Sequence, residues 1–292
     1  MTPFRIFWLL LAAMALSACA SDPQAEEAPP SPALWEVTAP GGEKGWLFGT
    51  AHVLPRGATW RTELFDRALA EIGEILVEID LRMDNAERAA ILGRMSQSPG
   101  LPAIEERVAP GKAGALDEMI ARHGLSPRDF AQTETWAVAL VLSNAAMPAD
   151  FVPGADRYIL GQAGDRPVVE LEGLEAQLGV FDRLPETRQA ELLEAIVEEA
   201  ASGEDRRRAI VEMWRTGDAE ALAESTETRL RASPELRQAL LVDRNHSWIG
   251  PIEAALARGR RPFVAVGAAH MTGADGIVAL LEAKGYRVAR LQ

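Results

Sequence analysis

Two short phrases near opposite ends of the chain match each other, and each closes an apolar run. Gly49-Thr50-Ala51-His52 follows Trp46-Leu47-Phe48, and Gly267-Ala268-Ala269-His270 follows Phe263-Val264-Ala265-Val266. The apolar runs read as buried strands, and the glycine after each lets the backbone turn sharply toward its histidine. The chain holds four histidines, so half of them end these phrases. An imidazole just beyond a strand is placed to ligate or to move a proton. A fold that uses both phrases assembles one site from the two ends of its domain. The matching segments are too short to establish a repeat.

The strands need a partner architecture, and the flanking segments supply one. Leu34-Trp35-Glu36-Val37 and Gly45-Trp46-Leu47-Phe48 read as strands joined by a turn at Pro40-Gly41-Gly42. A helix is expected from about Arg61 to Ala70, with Leu64, Ala68 and Leu69 on one face. Glu74 to Asp80 then reads as a strand, so strand, helix and strand follow in the order of a parallel βαβ unit. The middle, from about Asp84 to Met147, reads as a helical insertion. Within it, Ser126-Pro127-Arg128-Asp129 has the serine cap, early proline and trailing acid of a helix start. Pro167 to Leu171 returns to strand, Gly173 to Asp182 to helix, and Ser233-Pro234-Glu235 opens a helix expected to bend or break near Pro251. The chain closes with strand, helix (Asp275–Lys284), a stop at Gly285, and strand (Tyr286–Leu291). The expected fold is α/β, with a mostly parallel central sheet, flanking helices and a helical insertion.

The N-terminal segment reads as an address and not as part of that fold. Arg5 precedes a nearly unbroken apolar run, Ile6 to Leu16, too short to span a bilayer comfortably. Leu16-Ser17-Ala18-Cys19 then resembles a bacterial lipobox and contains the sole cysteine. Residues 1–18 are therefore expected to be a lipoprotein signal peptide, with Cys19 lipidated as the first mature residue. A plain signal peptide with an incidental cysteine is the alternative. Residues 19–33, rich in Pro, Ala, Ser and Glu, read as a disordered tether, and 34–292 as the globular domain. Ala20 after the cysteine resembles the pattern of outer-membrane lipoproteins, which places the domain in the periplasm, held to the membrane through its N-terminal lipid. A net charge of −13 argues against a nucleic-acid partner, which would call for a basic face.

Ligands of open α/β sheets bind beyond the carboxyl ends of the strands. His52, Glu78, Asp80, Glu172 and His270 all lie at or just past expected strand ends. Two imidazoles with one or two carboxylates suit a divalent metal such as manganese, cobalt, zinc or iron. His52, Glu78 and His270 are the expected ligands. Asp80 and Glu172 are expected as supporting carboxylates, with Glu172 also an alternative ligand. Glu78 interrupts an apolar strand and needs a partner if buried; a salt bridge to an arginine is the rival reading. Glu172 could instead stabilise the following helix start, and Asp80 could be a cap. In Asp243-Arg244-Asn245-His246, Arg244 could stabilise an oxyanion and Asn245 orient substrate, unless the stretch is merely a solvated helical face. Glu78, Arg244 and Asn245 are accordingly the candidate catalytic residues. His246 and His123 carry no expected function, and Trp136, Trp214 and Trp248 read as core or lid packing.

Taken in order, these residues resemble the TraB/GumN family, which includes the Tiki metalloproteases. The resemblance is carried by Trp46 to His52, Val77-Glu78-Ile79-Asp80, Leu171-Glu172-Gly173-Leu174-Glu175-Ala176-Gln177, Arg244-Asn245, and Val266 to His270 followed by Gly285-Tyr286. It spans Leu34 to the C-terminus. It implies an α/β fold related to erythromycin-esterase and ChaN-like proteins. It also implies metal-dependent hydrolysis, with His52, Glu78 and His270 at the family's functional positions. Two functions follow: a metal-dependent hydrolase of the cell envelope, a peptidase first or an esterase on a small molecule, and a non-catalytic lipoprotein binding a metal, haem or peptide.

Overall fold

Alternation of side chains decides the architecture. Along β1 (Leu34–Thr38), β2 (Lys44–Thr50), β4 (Glu74–Val77) and β7 (Pro262–Gly267), successive apolar residues turn to opposite faces, and both faces are buried. Trp46, Phe48, Ile75, Val77, Phe263 and Ala265 enter one core; Leu47, Leu76, Val264 and Val266 enter the other. In the computed structural model, which describes residues 28–201 and 203–292, these strands form one six-stranded sheet. With β6 (Val168–Glu170) and β8 (Arg287–Arg290), its order is β6-β4-β7-β2-β1-β8. The block β6-β4-β7-β2 is parallel, and β1 runs antiparallel to both its neighbours. The mostly parallel α/β sheet expected from the sequence is the one observed. The strand–helix–strand unit is parallel as expected, but β7 lies between β2 and β4. A small pair, β3 (Val53–Pro55) with β5 (Phe151–Pro153), stands beside the sheet.

Helices cover the two faces. On the first face, α1 (Glu63–Glu71) contributes Phe65, Ala68 and Leu69. Its N-cap Thr62 accepts the Phe65 N–H at 3.1 Å, which supports the start of this short helix. The insertion supplies α2 (Asn85–Met95), α3 (Ala113–Arg122) and α4 (Thr135–Ala145). The strong start at Ser126 proves to be a capping box on a single 3₁₀ turn, Pro127–Phe130, and the following α-helix begins at Thr135. Next come α5 (Ala155–Gly161), whose Ile159 and Leu160 join the first core, and α6 (Leu174–Asp182).

Three helices then occupy a stretch on which the sequence reading is silent: α7 (Glu186–Ala201), α8 (Glu204–Arg215) and α9 (Ala219–Leu230). Leu193 and Val197 of α7 pack with α3 and α4 in a third core. Trp214 of α8 reaches the first core. After α10 (Pro234–Arg237), the chain makes a π-helical turn, Gln238–Val242, and enters α11 (Asp243–Ala257). The expected break at Pro251 is absent: α11 runs through it, and the irregular turn lies upstream. Trp248, Ile249, Ile252 and Leu256 of α11 join Ile277 and Leu281 of α12 (Ile277–Ala283) to cover the second face. Burying each of these side chains contributes about 1.5–3 kcal/mol, so α11 is fixed firmly to the sheet. Among the described residues no helix is long and apolar enough to cross a membrane. Cys19 and residues 1–27 lie outside the described residues.

Candidate functional site

Four neighbouring parallel strands each deliver one polar side chain to the same sheet edge. His52 follows β2, His270 follows β7, Glu78 follows β4 and Glu172 follows β6. Strand β4 ends at Val77, so Glu78 is the first residue past it and turns into the site. The two matching phrases lie side by side, because β2 pairs with β7 through Thr50 and Gly267. Their glycines permit the approach. A Cβ on Gly49 would stand 2.9 Å from the Ala268 Cα, and one on Gly267 would stand 3.1 Å from His52 Nε2 and 3.3 Å from Glu78 Oε1. Trp214 Nε1 donates to the Gly49 carbonyl at 2.7 Å and so pins the first phrase from below.

Each imidazole has one nitrogen held. His52 Nδ1 lies 3.0 Å from Asp156 Oδ2, and the Thr50 hydroxyl donates to the other oxygen of Asp156 at 2.6 Å. His270 Nδ1 lies 2.6 Å from Asn245 Oδ1, while the Asn245 amide donates to the Asp275 carbonyl at 2.8 Å. These bonds set the rings' orientation and leave both Nε2 atoms directed into the cluster, the arrangement in which histidines ligate metals. Asn245 is buried and holds His270 through its side-chain oxygen. Asp156 was not among the sequence candidates. It arrives because Gly154 N donates to His52 O and Ala155 N to Ala51 O, folding the start of α5 beneath the first phrase.

Arg244 stands among the carboxylates. Its Nη2 donates to Glu78 Oε2 at 2.6 Å and to Glu172 Oε1 at 2.5 Å, and its Nε to Glu172 Oε2 at 3.1 Å. Its Nη1 lies 3.2 Å from His270 Nε2. Glu78 also accepts the Gly267 N–H at 2.7 Å and the Gln177 amide at 3.1 Å. Gln177 donates to Glu172 as well. The salt bridge that rivalled ligation as a reading of Glu78 is therefore present. Asp80 is not drawn in: its carboxylate pairs with Arg82 at the neighbouring surface. His246 is exposed, and His123 caps the end of α3. Trp136 stacks on Phe181 in the helical layer, whereas Trp248 lies under the site, with His270 4.6 Å and the Arg244 guanidinium 4.8 Å from its ring.

The charges are unevenly tuned. Burial pushes Glu78 up, but His270, which gains its charge only in acid, His52 and Arg244, with the Gly267 N–H, outweigh it and bring the carboxyl to about 2. Burial holds His270 neutral and lowers it to about 3 against the pull of Glu78. At neutral pH the depression of Glu78 consequently rests on Arg244, His52 and the N–H, because His270 carries no charge. Desolvation in the recess works against the His52 charge, yet Asp156 and then Glu78 raise it to about 9. Desolvation is the largest single influence, but Asp156 and Glu78 together outweigh it, and with 64% of the His52 side chain open to solvent the upward direction stands. His52 is the open member of a cluster whose other side chains are largely buried, so access is from its side.

The donor types fit a divalent cation: two oriented imidazoles and a carboxylate. Their present arrangement holds a guanidinium instead, and among the described residues no group of three or more His, Cys, Asp and Glu side chains is set to hold a metal ion.

A mostly parallel sheet carrying a His–Glu–His–Arg cluster at its carboxyl edge defines an α/β protein with a polar site at the strand ends. The profile of the TraB/PrgY/gumN family matches residues 33–290, and the chain belongs to that family. It is 25% identical over 266 residues to the protein named "Uncharacterized protein YbaP" of Shigella flexneri, and equally to its namesake in Escherichia coli (strain K12). Each match covers 84% of this chain and 90% of the relative. No solved structure matches significantly.

Proposed function

We propose that this protein is a metal-dependent hydrolase of carbonyl substrates, a peptidase first, acting at the cell envelope. The observation that carries the reading is the convergence of His52, Glu78 and His270 from β2, β4 and β7, with both imidazoles oriented by a hydrogen-bond partner. His52 Nε2, His270 Nε2 and a Glu78 oxygen would hold the cation, which when bound would polarise the scissile carbonyl and lower the pKa of water. The chain's own residues do the rest. Asp156 and Asn245 fix the rings, and Glu172 with Gln177 holds the carboxylate side of the cluster. Trp248 excludes water from beneath, and the open side at His52 admits the substrate.

Purified protein incubated with a peptide library should cleave it, lose that activity with chelator, and regain it with manganese or cobalt. Metal binding without turnover would favour the non-catalytic binding lipoprotein. The envelope location rests on the leader and Cys19: Cys19→Ser should abolish lipid labelling and release the protein from the membrane fraction, and unchanged mass and fractionation would count against it.

A further inference from the structure

We propose that Arg244 is an internal stand-in cation: it holds Glu78 and His270 while the metal site is empty, and a divalent metal binds only by displacing it. The inference rests on the metal reading above. Of the three donors assigned to the metal, two are already engaged by this one guanidinium. Nη2 is 2.6 Å from Glu78 Oε2, and Nη1 is 3.2 Å from His270 Nε2. Because Asn245 Oδ1 takes the hydrogen on Nδ1, His270 Nε2 carries its lone pair and points it at Arg244. A metal bonds such a lone pair at about 2.0–2.2 Å, a space that a guanidinium at these distances already fills. Charge adds to sterics, since two cations a few ångströms apart at a partly buried site repel strongly.

The structure also provides somewhere for Arg244 to move from and something to hold it. It is the second residue of α11 and lies just after the irregular π-helical turn Gln238–Val242 that leads into that helix. Nη1 also donates to the Leu240 carbonyl inside the turn at 3.1 Å, and the guanidinium lies over Trp248. Glu172, which bonds both Nε and Nη2, is not needed by the metal and can keep the arginine as it withdraws. His52 Nε2 is the donor Arg244 does not engage, and it lies on the open side. Entry therefore starts at His52 and finishes with exchange at Glu78.

The test is titration of metal-free protein with Co²⁺ alone, read by calorimetry, cobalt absorbance and tryptophan fluorescence. Arg244→Met should bind Co²⁺ more tightly than wild type, by more than about tenfold. In wild type, Co²⁺ should change the fluorescence, and the change should vanish in Trp248→Phe, because Trp248 is the indole beside His270. Arg244→Met leaves two carboxylates unpaired, so Arg244→Met with Glu172→Gln is the companion variant, both checked by circular dichroism. Equal or weaker binding by the folded variants, with wild type still binding, overturns the stand-in role and leaves the metal reading intact. No binding by wild type or by either folded variant overturns both.

Discussion

Gly267→Ala is the most economical perturbation of the site, since it adds one methyl group where two functional side chains meet. The backbone there has φ −49 and ψ 136, which alanine adopts without strain, so any effect comes from contact alone. The new Cβ would stand 3.1 Å from His52 Nε2 and 3.3 Å from Glu78 Oε1, each a few tenths of an ångström inside ordinary contact. Glu78 cannot yield freely, because Gly267 N–H, Gln177 and Arg244 all hold it. His52, on the open side, takes most of the shift. Overpacking costs about 1–3 kcal/mol, and an exposed neighbour that can move puts this site near 1. The melting temperature should fall by roughly 2–4 °C for a domain of this size. Function should suffer more: displacement of a reacting group by a fraction of an ångström should lower turnover on the order of tenfold. Thermal melts beside peptide-cleavage rates check both numbers. A variant with unchanged turnover and unchanged Co²⁺ affinity would refute the packing of His52 and Glu78 around this glycine.

Glu78→Gln should reduce stability by about 2–3 kcal/mol in denaturant melts, because Arg244 loses one buried partner and retains Glu172; its turnover should fall further than that of Glu172→Gln. Trp214→Phe removes the indole donor from the buried Gly49 carbonyl and should cost about 1–3 kcal/mol by the same assay. Stability should peak near pH 6.5. Below it, the unfolded chain takes up the proton that His270 refuses down to about 3, and from 4.5 downward Glu78 resists protonation until about 2, so stability falls with acid. Above it, the charge that His52 keeps in the folded state is lost as pH rises through about 9, and stability falls again. Asp156→Asn should flatten the alkaline limb alone, and a melt profile that moved on the acid side instead would contradict the assignment.

Much of this site is legible in the sequence because strand ends are. Apolar runs place β2, β4 and β7, and a residue directly after such a run belongs to the carboxyl edge of a parallel sheet; His52, Glu78 and His270 need no more than that. Glu172 is readable for the same reason, and its pairing with Arg244 is not, because it joins residues far apart in sequence through the rotation of α11. Asp156 is hidden differently. It sits in the first turn of α5, the strand before it, Phe151–Pro153, is three residues long, and its place under His52 depends on Gly154 meeting Ala51 and His52 backbone to backbone. Asp80 shows the reverse error: a strand-end position is not enough when Arg82, two residues on, offers a closer partner. Helices α7 to α9 escape notice because Leu193 and Val197 are a narrow apolar stripe in a strongly charged stretch, and what the stripe covers is set by α3 and α4.

His52 and His270 are proposed to serve one hydrolytic centre. Peptide turnover should therefore be measured for His52→Ala, His270→Ala and the double variant, each confirmed folded. Residues acting as a unit give non-additive losses, so the double variant should be hardly slower than the worse single one. Losses that multiply, or single variants as active as wild type, would contradict a shared site.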